Sequence, residues 1–181
     1  MKGLLVLSHH VEDGEALFTL ALLRRIGFNV HTMTFQETKE IHTAYGQTTY
    51  ADFKHSEINV LDYDFLVIPG GKYVSEIIDQ GHQIMDLASL FNDHHKWVCA
   101  ICAGPRFLGR AGLLDNRSYT CYPGSEVDMP KGIYLQDEKV VVDSNIITAR
   151  SAGAVYEFVH AITKKLLGEQ KAQQLYASIL Y

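Results

Sequence analysis

The stretch "VCAICAGPRF" (98–107) decides how this chain folds. A run of small and β-branched apolar residues meets Cys102, and Ala103-Gly104-Pro105 then opens a second apolar segment. The first half, "WVCAI" (97–101), reads as a strand covered on both faces, and "AGPRFLGRAG" (103–112) reads as the helix that follows. A backbone that turns so sharply from strand to helix needs small residues around the corner. The frame Ala100-Ile101-Cys102-Ala103-Gly104 supplies them, in the pattern of small, variable, nucleophile, variable, small that G-x-S-x-G has in its serine form.

Working outward, "GLLVLS" (3–8) and "DFLVIPGG" (64–71) are further short apolar runs of the buried parallel type. Between them, "EDGEALFTLALLRRIG" (12–27) places Ala16, Leu17, Leu20, Ala21 and Leu23 near helical spacing, with Gly27 as its stop. "FNVHTMTF" (28–35) alternates as a strand, and "TAYGQTTYADF" (43–53) suggests a hairpin turning at Gly46-Gln47. Past the Pro-Gly-Gly turn, "VSEIIDQ" and "HQIMDLASLFNDH" read as a short and a longer helix. "SYTCYPG" is open between strand and loop, and "KVVVDSNIITAR" reads as a hairpin turning at residues 143–145. "AGAVYEFVHAITKKLLG" and residues 168–180 read as closing helices.

Strands alternating with helices predict an α/β protein with a mostly parallel sheet and helices on both faces. A single domain over 1–181 is the expectation, since no linker, repeat or low-complexity segment interrupts the pattern. In such sheets ligands sit beyond the carboxyl ends of the strands. Three places then compete for the site: Ser8-His9-His10, Pro69-Gly70-Gly71 and Cys102-Ala103-Gly104.

Composition narrows the function classes. The chain has 181 residues, net charge -5 and no basic run, which gives nucleic acid and anionic membrane no electrostatic footprint. No apolar run reaches the roughly 18 residues of a membrane span. Three cysteines, Cys99, Cys102 and Cys121, are too few for a disulfide framework in a chain of this size, so a cytoplasmic location is expected. Neither a Walker loop, nor a dinucleotide G-x-G-x-x-G, nor a metal-ligand spacing is found, and the expectation is no cofactor and no metal.

At the end of a strand and the start of a helix, the Cys102 thiol is expected to have a lowered pKa, and nearby backbone N–H groups could hold an oxyanion. The Gly70-Gly71 turn could bring a second donor close. Cys99, within its strand, reads as a small core hydrophobe, as does Cys121. Of the acidic residues in "EDGE", none is singled out by its own position, because carboxylates favour a first helical turn in any case.

Together, "GLLVLSHHVEDGEALFTLALLRRIGFNV", "YDFLVIPGGKYVSEII", "AICAGPRFLGRAGLL", "YTCYPG" and "NIITARSAGAVYEFVHAI" resemble the DJ-1/ThiJ/PfpI superfamily, in its DJ-1-like branch. The resemblance implies a flavodoxin-like three-layer sandwich, a homodimer, and Cys102 as the reactive elbow cysteine. It also implies that Glu15 is the acidic partner of the sulfur, that Gly71 and Ala103 supply backbone donors, and that Arg24 and Arg25 lie near the dimer contact. Possible pocket residues are His9, His10, Gly70, Tyr122 and Arg150. In several relatives a histidine stands about twenty residues after the cysteine; here that position is Tyr122, so a Cys-His-acid triad is not expected. Protease-like relatives carry histidine directly after the cysteine, where this chain has Ala103, and peptidase activity is correspondingly not expected.

The resulting functional expectation is a glyoxalase- or deglycase-type enzyme acting on a small reactive carbonyl. The alternative is a redox-sensing or stress-protective protein whose Cys102 meets peroxide. Two further alternatives are a hydrolase or amidase and the thiazole monophosphate biosynthesis role with which members of the branch are labelled.

Overall fold

The structure is a computed structural model and describes residues 1–80 and 82–181. Eleven strands and six α-helices follow one another in it. They are β1 (Lys2–Val6), α1 (Thr19–Arg25), β2 (Asn29–Thr34), β3 (Glu40–His42), β4 (Thr48–Tyr50), β5 (Phe53–Lys54), β6 (Phe65–Ile68), α2 (Lys72–Ile77) and α3 (His82–Asp93). Then come β7 (Trp97–Ile101), α4 (Pro105–Arg110), β8 (Ser118–Tyr119), β9 (Ile133–Tyr134), β10 (Val140–Asp143), β11 (Ile146–Ala149), α5 (Val155–Leu167) and α6 (Glu169–Ile179).

Seven strands form one sheet in the order β10-β11-β7-β6-β1-β2-β5. All neighbours are parallel except the edge hairpin β10–β11. Phe65 to Ile68 are buried without a break, as are Val98 to Ile101, because helices cover both faces of the sheet. On one face α5 packs on β10, β11, α1 and α6; on the other α3 packs on β6, β7 and α4. This is the mostly parallel sheet with helices on both faces that the strand–helix alternation predicts, and the flavodoxin-like three-layer sandwich that the resemblance implies.

Two details differ from the sequence reading. The first helix opens with a π-turn over Gly14–Phe18, and its buried face includes Glu15, Ala16, Thr19, Leu22 and Leu23. Ala21, expected inside, is exposed. Two polar residues occupy the inward stripe, so following apolar residues alone misplaces it. The second difference is the hairpin around residue 46. Its strands pair Glu40 with Tyr50 and His42 with Thr48, so residues 43–47 are all loop and the first strand lies before "TAY". Thr43 closes that loop, its amide donating to the Gln47 carbonyl at 2.9 Å and its hydroxyl oxygen accepting the Gln47 amide at 2.9 Å.

Parallel strands point their carboxyl ends to one edge, so the segments after β1, β6, β7 and β11 converge there.

Candidate active site

Cys102 follows β7 directly and has φ of 62°, in the left-handed region that side-chain-bearing residues rarely occupy. Its neighbours hold it there. Its N–H donates to the Ala149 carbonyl at the end of β11, and its own carbonyl accepts the Tyr122 N–H, each at 2.8 Å. The strand-to-helix frame thus places the thiol at the sheet edge, partly buried, with α4 starting three residues later.

Glu15 reaches the same point from the segment after β1. It is buried to 1% exposure, and its Oε2 accepts the Gly70 N–H at 2.9 Å. Gly71 makes this approach possible: with φ of 125°, it forms a bridge to Val11, and a Cβ there would lie 2.5 Å from the Glu12 nitrogen. The Glu15 carboxyl also meets the Cys102 thiol and the backbone of Ala152. Burial pushes its pKa up to about 7, with the Glu12 charge adding to the rise, against hydrogen bonds that oppose it.

The thiol departs from expectation. A helix start was expected to lower its pKa, but burial and the facing Glu15 push it well above the usual thiol range. The Ala103 amide pulls the other way and is outweighed. Below about pH 7 both groups of the resting pair therefore hold their protons, and a thiolate forms when a base removes the one on sulfur.

A cavity of about 470 Å³ opens over this pair. Gly71, Ala103 and Tyr122 line it, as do Glu12, Tyr45, Lys72 and residues 151–153. Gly70 sits behind the wall, holding Glu15. His9, His10 and Arg150, expected as pocket residues, are not among those that line it. The His9 ring stacks on His42 with centroids 5.5 Å apart. His10, at φ of 62°, turns its ring to Glu76 at 2.8 Å. Arg150 reaches back to the Gln136 carbonyl. Arg24 binds Asp52 and the Val30 carbonyl, and Arg25 the Ser178 carbonyl.

Tyr122 contributes its main chain to the elbow while its ring is exposed at the cavity. Sequence reasoning did not single out Tyr45, in the 43–47 loop, or Lys72, at the start of α2, because their approach to the elbow leaves no local signal. It passed over Glu12 because the acidic first turn has a sufficient local explanation. Among the described residues, no three His, Cys, Asp or Glu side chains are gathered as metal ligands would be. No described helix is long and apolar enough to cross a membrane.

The mostly parallel sheet and the cysteine just past the end of β7, one of its inner strands, define a flavodoxin-like protein with a cysteine at a strand-to-helix elbow. The sequence profile of the DJ-1/PfpI family matches residues 1–165, and the chain belongs to that family. It is 27% identical over 180 residues to Protein dj-1beta of Drosophila melanogaster, covering 99% of this chain and 96% of the relative. It is 31% identical over 167 residues to Deglycase PfpI of Pyrococcus furiosus, covering 92% and 99%. Among solved structures, a cysteine-to-alanine mutant of a DJ-1 superfamily protein from Salmonella typhimurium superposes with a TM-score of 0.91 at 28% identity, covering 99% of this chain and 98% of the other. Oxidized DJ-1 of Toxoplasma gondii gives 0.89 at 25% identity, covering 99% and 98%.

Proposed function

We propose that this protein is a cofactor-independent enzyme of the glyoxalase or deglycase kind, acting on small reactive aldehydes. The observation that carries the reading is the buried Glu15 carboxyl, with its pKa raised to about 7, against the Cys102 thiol at the floor of a cavity. The deglycase names borne by relatives at about 30% identity support the same chemistry.

For an α-oxoaldehyde the steps balance without redox partners. The Cys102 sulfur forms a bond to the aldehyde carbon, the thiol proton passes through Glu15 to the carbonyl oxygen, and a hemithioacetal results. Glu15, protonated again after this relay, loses that proton to water, as a pKa near 7 allows. As a carboxylate it takes the hydrogen from that carbon and returns it to the adjacent carbonyl carbon, whose oxygen gains the hydroxyl proton. Glu15 recovers its own proton from water at the end of the cycle. This leaves a thioester of a 2-hydroxy acid, and water cleaves it to release the acid and restore the thiol. The amides of Gly71 and Ala103 fit as donors to the developing oxyanion. An acid–base group is most useful with a pKa near the operating pH, which is where burial puts Glu15.

In the same reading the protein is a single domain that works in the cytoplasm as a homodimer. Phe18 and Leu180 are exposed, and together with Ala21 they line one surface hollow, which supports an apolar contact face. Light scattering tests the dimer, and a monomer overturns it.

A redox role for Cys102 is the second reading. Tyr122 in place of a histidine favours it, and so does the oxidized state in which the Toxoplasma relative was solved. One experiment separates the two. The wild type, Cys102→Ser and Glu15→Gln are assayed for lactate formed from methylglyoxal. Turnover in the wild type and its loss in both variants supports the enzyme. No turnover in the wild type, with Cys102 consumed by hydrogen peroxide, overturns it in favour of the redox thiol.

A further inference from the structure

The run Glu12-Asp13-Gly14-Glu15 brings three carboxylates to one helix start, and the fold gives each a different neighbour. Asp13 faces the 43–47 loop, accepting the Thr43 hydroxyl at 2.5 Å and the Tyr45 amide at 3.0 Å. Glu15 faces inward to Gly70 and Cys102. Glu12 lies between them, with its carboxylate on the wall of the cavity that holds the thiol.

Glu12, Glu15 and Gly70 close a ring of three hydrogen bonds. The Glu12 amide donates to the Gly70 carbonyl at 3.0 Å. The Gly70 amide donates to Oε2 of Glu15 at 2.9 Å, and the Glu15 amide donates to Oε2 of Glu12 at 2.5 Å. Each member fixes the next, so the direction of the Glu15 carboxyl depends on the Glu12 carboxylate.

We propose that Glu12 is a positioning residue for the Cys102 centre: through this ring it aims Glu15 at the thiol, and its negative charge keeps the Glu15 proton in place until substrate arrives. The inference rests on the aldehyde-converting reading for its effect on turnover, but not for its effect on the thiol. Two neighbouring carboxylates do not readily ionise together, so the charge on Glu12 favours a neutral Glu15. The groups facing Glu15 are few. They are Glu12 on its own segment, the Tyr73 hydroxyl from α2, the Cys102 thiol from the elbow and the backbone of Gly70 and Ala152. Lys72, at the start of α2, is the cation on the cavity wall. Of these, Glu12 is the carboxylate whose place is set by a hydrogen bond to Glu15 itself.

Two variants separate charge from geometry. Glu12→Gln keeps an oxygen that can accept the Glu15 amide and removes the charge; Glu12→Ala removes both. Turnover of methylglyoxal and alkylation of Cys102 by iodoacetamide are followed against pH. In Glu12→Gln both profiles are expected to move toward acid by about one pH unit, a tenfold change in proton affinity. In Glu12→Ala the same shift is expected, with kcat lowered on the order of tenfold or more and KM little changed, because the base is no longer aimed. An alkylation profile of Glu12→Gln that superimposes on the wild type overturns the proposal, even if Glu12→Ala loses activity, since that loss alone would mark a structural role. A shifted alkylation profile in a protein without turnover supports Glu12 and overturns the enzyme reading instead. If Glu12→Ala does not fold, Glu12→Gln decides alone.

Discussion

The amide of Gly70 donates to Oε2 of Glu15 at 2.9 Å, and a hydrogen is the largest group that fits on the Gly70 α-carbon beside it. A Cβ there would lie 2.6 Å from that same Oε2, 2.8 Å from Cβ of Cys102 and 2.9 Å from the Ala103 nitrogen. Carboxyl, elbow and turn can meet because the third partner has no side chain. Gly70→Ala should therefore push Glu15 and Cys102 apart. The expected loss is about 100-fold in kcat/KM, the scale of an ångström's misplacement, with overpacking costing about 1–3 kcal/mol of stability. Steady-state kinetics beside thermal unfolding checks this, and a variant with wild-type kcat/KM contradicts it.

Glu15 should also leave a mark on stability against pH. In the unfolded chain its carboxyl titrates near 4.5, and in the fold near 7. Between those values the unfolded chain has released the proton while the native state still holds it. The contribution of Glu15 is therefore fully present below about pH 4.5 and is lost as pH rises through 7. Glu15→Gln, which stays neutral, should gain on the wild type across that window by on the order of 3 kcal/mol. Urea unfolding at pH 4.5 and pH 8 reads the gain directly. A difference between the two proteins that stays constant with pH would show that the carboxyl is not held protonated by the fold.

How far the site is legible in the sequence differs residue by residue. The Cys102 elbow can be read because its causes are local: an apolar strand, small residues and a glycine within a few positions. Glu15 enters through family resemblance, since acidic residues at a helix start have a sufficient local explanation in the dipole. The state of the thiol was misjudged for the same reason. The helix start after Cys102 is visible in sequence, whereas the burial and the carboxyl that outweigh it come from a distant segment. His9 and His10 illustrate the converse: they follow a strand at the correct edge, but the His9 ring stacks on His42, and His10, at positive φ, turns its ring to Glu76.

Asp128 is nearly buried, and its carboxylate receives Arg106 and Arg110 of α4, the helix that follows the elbow. Arg106 also reaches the Ser75 hydroxyl of α2, so the cluster joins the two helices beside the cavity. Burial alone would raise the Asp128 carboxyl, but the two guanidinium groups hold it below the usual range. Asp128→Asn leaves two cations facing an uncharged amide. Arg106 is largely buried and Arg110 half exposed, so the cost is expected near the lower end for a broken buried pair, about 3 kcal/mol. The measurement is the urea midpoint at pH 7 with the slope unchanged. A shift corresponding to well under 1 kcal/mol would mean that solvent already satisfies both arginines.

Tyr122 stands where the family resemblance leads one to expect a histidine, and its main chain serves the elbow whatever its side chain is. The N–H that donates to the Cys102 carbonyl belongs to every residue except proline, so Tyr122→His keeps that bond. The exposed ring removes little buried surface when replaced, and stability should change by no more than about 0.5 kcal/mol. The thiol should respond more. Burial and the facing Glu15 push its pKa up; an imidazole on the cavity wall offers a proton acceptor and, once protonated, a positive charge that stabilises the thiolate. Alkylation of Cys102 at pH 7 should accelerate by about tenfold or more, with the midpoint of its pH profile moving toward neutrality. Peroxide consumption by Cys102 should rise with it, since thiolate character governs both. Unchanged alkylation in a stably folded Tyr122→His protein would show that a side chain at 122 does not reach the sulfur, and that the family's histidine position has no electrostatic access to Cys102 in this chain.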